Sequence, residues 1–331
     1  MIRYIFLVGA FMLIFFGCKK ETPDLPLPSN GMEDDSECLP IVAPDTSLNW
    51  LISWSDYRKM MPCFNPNNNN EFLYIDRLPG SLFSDMCIYN LATGESNCIL
   101  SGQTYLHQPR WHENDWILFR GNGDNVYRIK SNGDSLLQIT TSSVFQRPVW
   151  RPDGQAWISN NVVEFTGNIE VYDLSGEIID VIPGEVFHFG DWSADNRIVT
   201  HRPNNFDPHQ IAWSEVENVS WQLLNFDTAS PQPSMRDLHW VPMSDEVMFS
   251  QGGADISRIN VLTGEKTKVR EGCGTRYYSY FSINNNCSKI VAERVTPEEI
   301  FSNGWHNVVV YKSEIVLMNF DGTGEEVIEL P

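Results

Sequence analysis

Six aromatic residues, each followed by a polar turn, recur along the chain at Phe64, Trp111, Trp150, Trp192, Trp240 and Phe281. Four positions before them stand Met60, His107, Gln146, His188, Arg236 and Tyr277. Equal register sets these six at one height, where their polar members can bind a ligand. His107, Gln146 and His188 come from consecutive repeats, and two imidazoles with an amide oxygen could hold a divalent cation. The plainer account is a wet opening that accepts any polar side chain, because the set has no carboxylate. No cofactor beyond such an ion is called for. The chain has no Gly-x-Ser-x-Gly elbow, Walker-type loop, His-Glu-x-x-His pair or strand-linked Gly-x-Gly-x-x-Gly, so no catalytic residue is assigned.

The cysteines offer a second chemistry. Setting Cys18 apart leaves six of the seven, an even number suited to disulfides in an exported chain. Cys87 and Cys98 oppose each other if Asn90 pairs with Glu95 across the Gly94 turn, which predicts a cross-strand bridge. Cys273 and Cys287 flank the sixth anchor strand, and Cys38 and Cys63 could pin the N-terminal segment to the first repeat; the connectivity stays open. Metal binding by these thiols is the weaker reading, since no Cys-x-x-Cys pair exists.

The anchors are separated by 47, 39, 42, 48 and 41 residues, a repeat length that calls for one supersecondary unit per repeat. After each comes a short β-rich run: 71–75, 116–120, 156–159, 197–201, 246–250 and 289–293. Turns containing Gly94, Gly133, Gly176, Gly264 and Gly322 recur in a register of their own, while the fourth unit substitutes Glu215-Val216-Glu217-Asn218. Each unit reads as a four-stranded antiparallel blade. The expectation is an all-β chain, a six-bladed β-propeller of four-stranded antiparallel blades over residues 46–331, closed so that few edges are exposed. Pro148-Val149-Trp150-Arg151-Pro152-Asp153-Gly154 resembles the blade signature of TolB-type, WD-like propellers, and the other anchors match it in part. That resemblance implies an envelope protein that acts through protein contacts.

Trp111, Trp150, Trp192 and Trp240 share one repeat position and read as packing between blades. Trp50, Trp54, Trp213, Trp221 and Trp305 fall outside it and are freer to bind. The expected long loops at 77–85, 202–209 and 296–310 bring Phe206, Phe301 and Trp305 to the same face as the polar ring, where binding on a rigid scaffold normally resides.

Arg3 precedes an apolar run from Tyr4 to Phe16, too short for a comfortable membrane span, and residues 1–17 read as an export signal. Phe15-Phe16-Gly17-Cys18 resembles the lipobox of bacterial lipoproteins, which implies acylation of Cys18; Lys19 then resembles a sorting signal for the outer membrane. Residues 18–45, with Pro23, Pro26, Pro28, Pro40 and Pro44, read as the lipidated cysteine and a flexible tether. The chain has 23 Lys and Arg against 43 Asp and Glu, and the formal charge of −20 excludes nucleic acid as a natural partner. The leading expectation is a noncatalytic envelope lipoprotein on the periplasmic or surface face, binding a protein, peptide or glycan at the channel mouth through His107, Gln146, His188, Arg236, Tyr277, Phe206, Phe301 or Trp305. A metal-dependent carbohydrate lyase, hydrolase or lactonase using the channel histidines is the second reading, and a structural spacer in an envelope complex the third.

Overall fold

The computed structural model describes residues 43–77, 81–141, 145–161, 168–183, 188–202, 210–225, 237–251, 255–273 and 276–331. The first repeat supplies β1 (Trp50–Asn65), β2 (Asn68–Arg77), β3 (Ser84–Asn90) and β4 (Glu95–Gln103). Four separate four-stranded antiparallel blades follow. They are β5 (His107–Trp111), β6 (Trp116–Arg120), β7 (Val126–Lys130) and β8 (Leu137–Gln138); β9 (Phe145–Trp150), β10 (Ala156–Asn161), β11 (Ile169–Asp173) and β12 (Ile178–Ile182); β13 (His188–Trp192), β14 (Arg197–Arg202), β15 (Gln210–Glu215) and β16 (Gln222–Asn225); and β17 (Leu238–Trp240), β18 (Glu246–Gln251), β19 (Asp255–Asn260) and β20 (Lys266–Arg270). The chain ends with β21 (Tyr277–Ile283), β22 (Lys289–Ser302), β23 (Asn307–Asn319) and β24 (Glu326–Val327). Every β-rich run read after an anchor lies within β2, β6, β10, β14, β18 or β22.

The expectation of six separate four-stranded blades is corrected. Four such blades are present, and the first and last repeats share one eight-stranded sheet in the order β21-β22-β23-β1-β2-β3-β4, with β24 on β23. The cause is β1, sixteen residues long. Its first half, Trp50–Trp54, runs parallel to Asn307–Tyr311 of β23, while its second half pairs antiparallel with β2. Anchor counting registers inner strands, and it cannot show that one strand serves two repeats.

Neighbouring sheets meet through their apolar faces. Trp150, Trp157 and Tyr172 of the β9–β12 blade pack on Leu118, Val126 and Ile139 of the blade before it. The four anchor tryptophans are buried. Trp150 Nε1 donates to the Arg110 carbonyl 3.0 Å away in the preceding blade, and the Arg197 guanidinium lies 4.5 Å from the Trp240 ring centre. Gly176 shows why a turn needs glycine here. Its φ is +90°, and a Cβ would stand 2.6 Å from the Ile139 carbonyl oxygen of the neighbouring blade.

The inner strands are not regular. Register shifts interrupt β1 between Met60 and Cys63, β5 between His107 and Arg110, β13 between His188 and Gly190, and β21 between Tyr278 and Phe281. Met61, Gln108 and Arg147 adopt left-handed φ values of 54°, 55° and 49°. A bulge removes a backbone N–H from its own ladder, and that donor needs another acceptor. The adjacent repeat provides it: Glu293 Oε2 accepts from Met61 N (3.1 Å), Met61 Sδ lies 3.2 Å from Gln108 N, and Gln108 Oε1 accepts from Arg147 N (2.9 Å).

Cys87 and Cys98 form a disulfide between directly opposed positions of β3 and β4, in the register that pairs Asn90 with Glu95. Cys273 and Cys287 are both disulfide-bonded. The Cys38–Cys63 pairing is corrected: Cys63 is a free thiol packed in the core with Leu73, Trp111 and Ile117, and Cys38 lies outside the described residues.

Candidate functional site

A buried charge cluster ties the inner strands together. Asp237, 3% exposed at the start of β17, receives Arg110 Nη2 from β5 at 3.3 Å and Arg147 Nη1 from β9 at 3.4 Å on Oδ1. Its Oδ2 accepts the Phe281 backbone N–H of β21 at 3.1 Å and lies 3.1 Å from His239 Nε2. Burial works to raise the Asp237 carboxyl, but His239, Arg110 and Arg147 outweigh it and hold the group well below the usual carboxylate range. Asp191 is pushed the other way by burial, and its Oδ2 accepts from Trp240 N at 2.8 Å. Paired and hydrogen-bonded this way, the cluster fastens blades to one another.

At the end of the inner strands where the polar ring was expected lies a cavity of 330 Å³. Arg58 and Arg77 stand directly opposite each other across β1 and β2 and both line it. Neither makes an ion pair among the described residues. Arg58 lies 5.0 Å from the Trp54 ring centre, and Arg77 Nε reaches the Ser81 carbonyl at 3.4 Å. His107 also lines the cavity, stacked on Tyr105 at 4.3 Å. Burial, reinforced by the Arg120 and Arg58 charges, pushes its imidazole down to about 4, so it is neutral at pH 7. Arg120 is neutralised by Asp124 at 2.7 Å. The charge around His107 repels a divalent cation, and among the described residues no three His, Cys, Asp or Glu side chains group to hold one.

Beside this cavity the composite sheet projects as three strands. Ile52 of β1, Val309 of β23 and Ile300 of β22 form one cross-strand row, and Leu51, Val308 and Phe301 the next. The central valines are buried, while the outer members are 40–63% exposed. Trp305, in the turn between β22 and β23, is 81% exposed, and Leu82 at the cavity rim is 73% exposed. With Trp50, Trp54 and Phe83, this corner holds half of the exposed large hydrophobic side chains among the described residues. No described strand pairs with the outer edge of Trp50–Trp54.

Cavities of 310 and 560 Å³ lie at the other end of the inner strands, among the anchor turns. Arg197 there pairs with Asp195 at 2.7 Å and with Asp245 at 2.8 Å.

The structure brings His107, Trp305 and Phe301 to the corner just described. Tyr277 packs edge-on to Tyr311 at 6.0 Å, and Tyr311 lies 5.9 Å from Trp54. Gln146 and His188 fall in β9 and β13, with side chains outside what is described; Arg236, Phe206 and Cys18 lie outside the described residues. Trp213 and Trp221, expected to be free, pack against the β17–β20 and β9–β12 cores respectively. Arg58, Arg77 and Asp237 were missed. Counting back from the Asn65–Asn68 closure sets Arg58 opposite Ile75, because the bulges of β1 are invisible in the spacing.

No protein-family model matches the sequence, and no curated protein matches it. Among solved structures the chain is similar to TolB from Acinetobacter baumannii, with 16% identity, a TM-score of 0.55, and coverage of 66% of this chain and 56% of that one. It is also similar to a chain of a nidogen/laminin complex, with 9% identity, a TM-score of 0.56, and coverage of 83% and 93%. Acylaminoacyl peptidase in complex with Z-Gly-Gly-Phe-chloromethyl ketone shows 12% identity, a TM-score of 0.51, and coverage of 84% and 54%. This chain thus spans little more than half the length of the TolB and peptidase chains. At these identities the likeness is one of fold, and it supports a TolB-like propeller.

Proposed function

We propose that this chain is a binding module of the cell envelope that docks a protein partner on the projecting corner of its composite sheet. The observation that carries the reading is the clustering of Ile52, Ile300, Phe301, Trp305 and Leu82 on three projecting strands and the adjoining rim. Successive rows point to opposite faces, so this projection exposes apolar side chains on both sides of the sheet. Such exposure marks interaction sites, and the free edge of Trp50–Trp54 suits an extended partner segment that adds a strand. The likeness to TolB and to a nidogen/laminin complex is consistent with a protein-binding propeller. In this reading Cys18 carries acyl chains, residues 19–45 lift the body from the bilayer, and the outer membrane is its address. The partner presents basic groups around its apolar segment, because the chain carries a formal charge of −20.

Photo-cross-linking residues placed at positions 52, 301 and 305 of the full chain in its native envelope test this. One protein adduct common to all three, absent from a control at the exposed Ile179 and weakened by salt, is the expected result. Adducts identical at the control position, or none at 52, 301 and 305, overturn it.

A further inference from the structure

The geometry assigns the cavity beside the projecting sheet to a monocarboxylate carried on an aromatic or apolar group. Arg58 and Arg77 face each other across β1 and β2, an arrangement that opposes folding when like charges stand unscreened. Burial and then the Arg77 charge work against the charged form of Arg58, by more than Glu293 and Tyr277 favour it, and its Nε is buried without a hydrogen-bond partner. A chain with 43 acidic residues leaves this pair without an ion pair among the described residues. Like charge only partly offset by Glu293 and held at a cavity is the kind of arrangement a bound anion completes.

The lining sets the ligand's charge. Glu293 is the one acidic residue on the cavity wall, and its carboxylate is engaged by Met61 N at 3.1 Å and Ser313 Oγ at 3.0 Å. With His107 neutral, two guanidinium groups against one carboxylate leave a single positive charge, which one monoanion balances. The planar fork of arginine matches the two oxygens of a carboxylate, and a pair on adjacent strands can grip it from both sides. Trp54, Tyr105, Tyr280 and Leu82 also line the wall, beside the hydroxyls of Ser84, Thr104 and Ser279, and the aromatic share suits an apolar or aromatic body behind the acid. The volume of 330 Å³ falls within the range of small-molecule sites.

The test titrates the full chain with 3-phenylpropionate, its neutral amide and inorganic phosphate at constant ionic strength and pH 7, by calorimetry. Saturable one-to-one binding of the acid, at least tenfold tighter than the amide or phosphate, is expected. Arg58→Gln and Arg77→Gln should each weaken the acid at least fivefold, with thermal midpoints equal to or above that of the unsubstituted protein, because each relieves repulsion. Equal affinity for acid and amide overturns the assignment, as does phosphate binding as tightly as the acid, or acid binding that both variants retain. Should a variant fail to fold, the acid–amide–phosphate comparison on the unsubstituted protein still decides. None of these readouts involves positions 52, 301 or 305, so this inference and the docking surface can fail independently.

Discussion

His107 couples the stability of the fold to pH. Its imidazole is held at about 4 in the folded chain, against about 6.5 when unfolded. Between those values the unfolded chain takes up a proton that the folded chain refuses. Stability therefore falls as pH drops from about 6.5 to 4, by about 3 kcal/mol in all, and is flat above that window. Asp237 acts lower: its contribution is present above the unfolded carboxylate value and is lost as pH falls beneath it. Urea unfolding midpoints between pH 4 and 7 should show the His107 slope, and His107→Gln should flatten it while leaving the acid limb in place. Glycine positions permit a cleaner comparison. Gly264 has φ of +73° and nothing within 4 Å of where an added methyl would stand, whereas Gly176 has φ of +90° and the Ile139 carbonyl in the way. Gly264→Ala should cost about 1 kcal/mol from backbone strain alone, and Gly176→Ala about 3 kcal/mol, the excess measuring the contact between blades. Equal losses in denaturant melts would remove that contact from the account.

Strand register explains which elements could be read in advance. From the Gly94 turn, Asn90 to Cys87 pair with Glu95 to Cys98 without interruption, so simple counting found the disulfide; the shift between Met86 and Cys87 lies just beyond it. In β1 the shifts fall between the turn and Arg58, and the same counting misplaces the arginine pair by two residues. The six anchors and the strands that follow them were legible because period-two alternation and turn residues are local signals. Bulges, and the sharing of β1 between two repeats, depend on partners far away in sequence and leave no periodic trace. At this scale the Cys87–Cys98 bridge holds the outer strand β4 to its blade. Replacing both cysteines by alanine should lower unfolding free energy by about 2–3 kcal/mol, the chain-entropy value for so short a loop. Hydrogen exchange should show protection lost first in β4; uniform loss across the protein would argue against a local role.

Over the whole molecule, inner strands pack in sequence order from β1 through β5, β9, β13 and β17, and β21 returns to β1. The caps from Glu293 to Met61 and from Gln108 to Arg147, with the Asp237 cluster, make each repeat depend on its neighbour. Thermal unfolding should then be a single transition. Deleting residues 43–54 should lower its midpoint by roughly 5–10 °C, because it strips the parallel partner from β23. A melt that separates into two steps would show the repeats to be independent. The same pairing sets a timetable for biogenesis. Trp50 leaves the ribosome long before Asn307, its partner, has been made. At about 5–20 residues per second the delay is on the order of 13–50 s. Throughout that interval the apolar Trp50–Trp54 segment has no native partner to cover it, which exposes the unfinished chain to association through that segment.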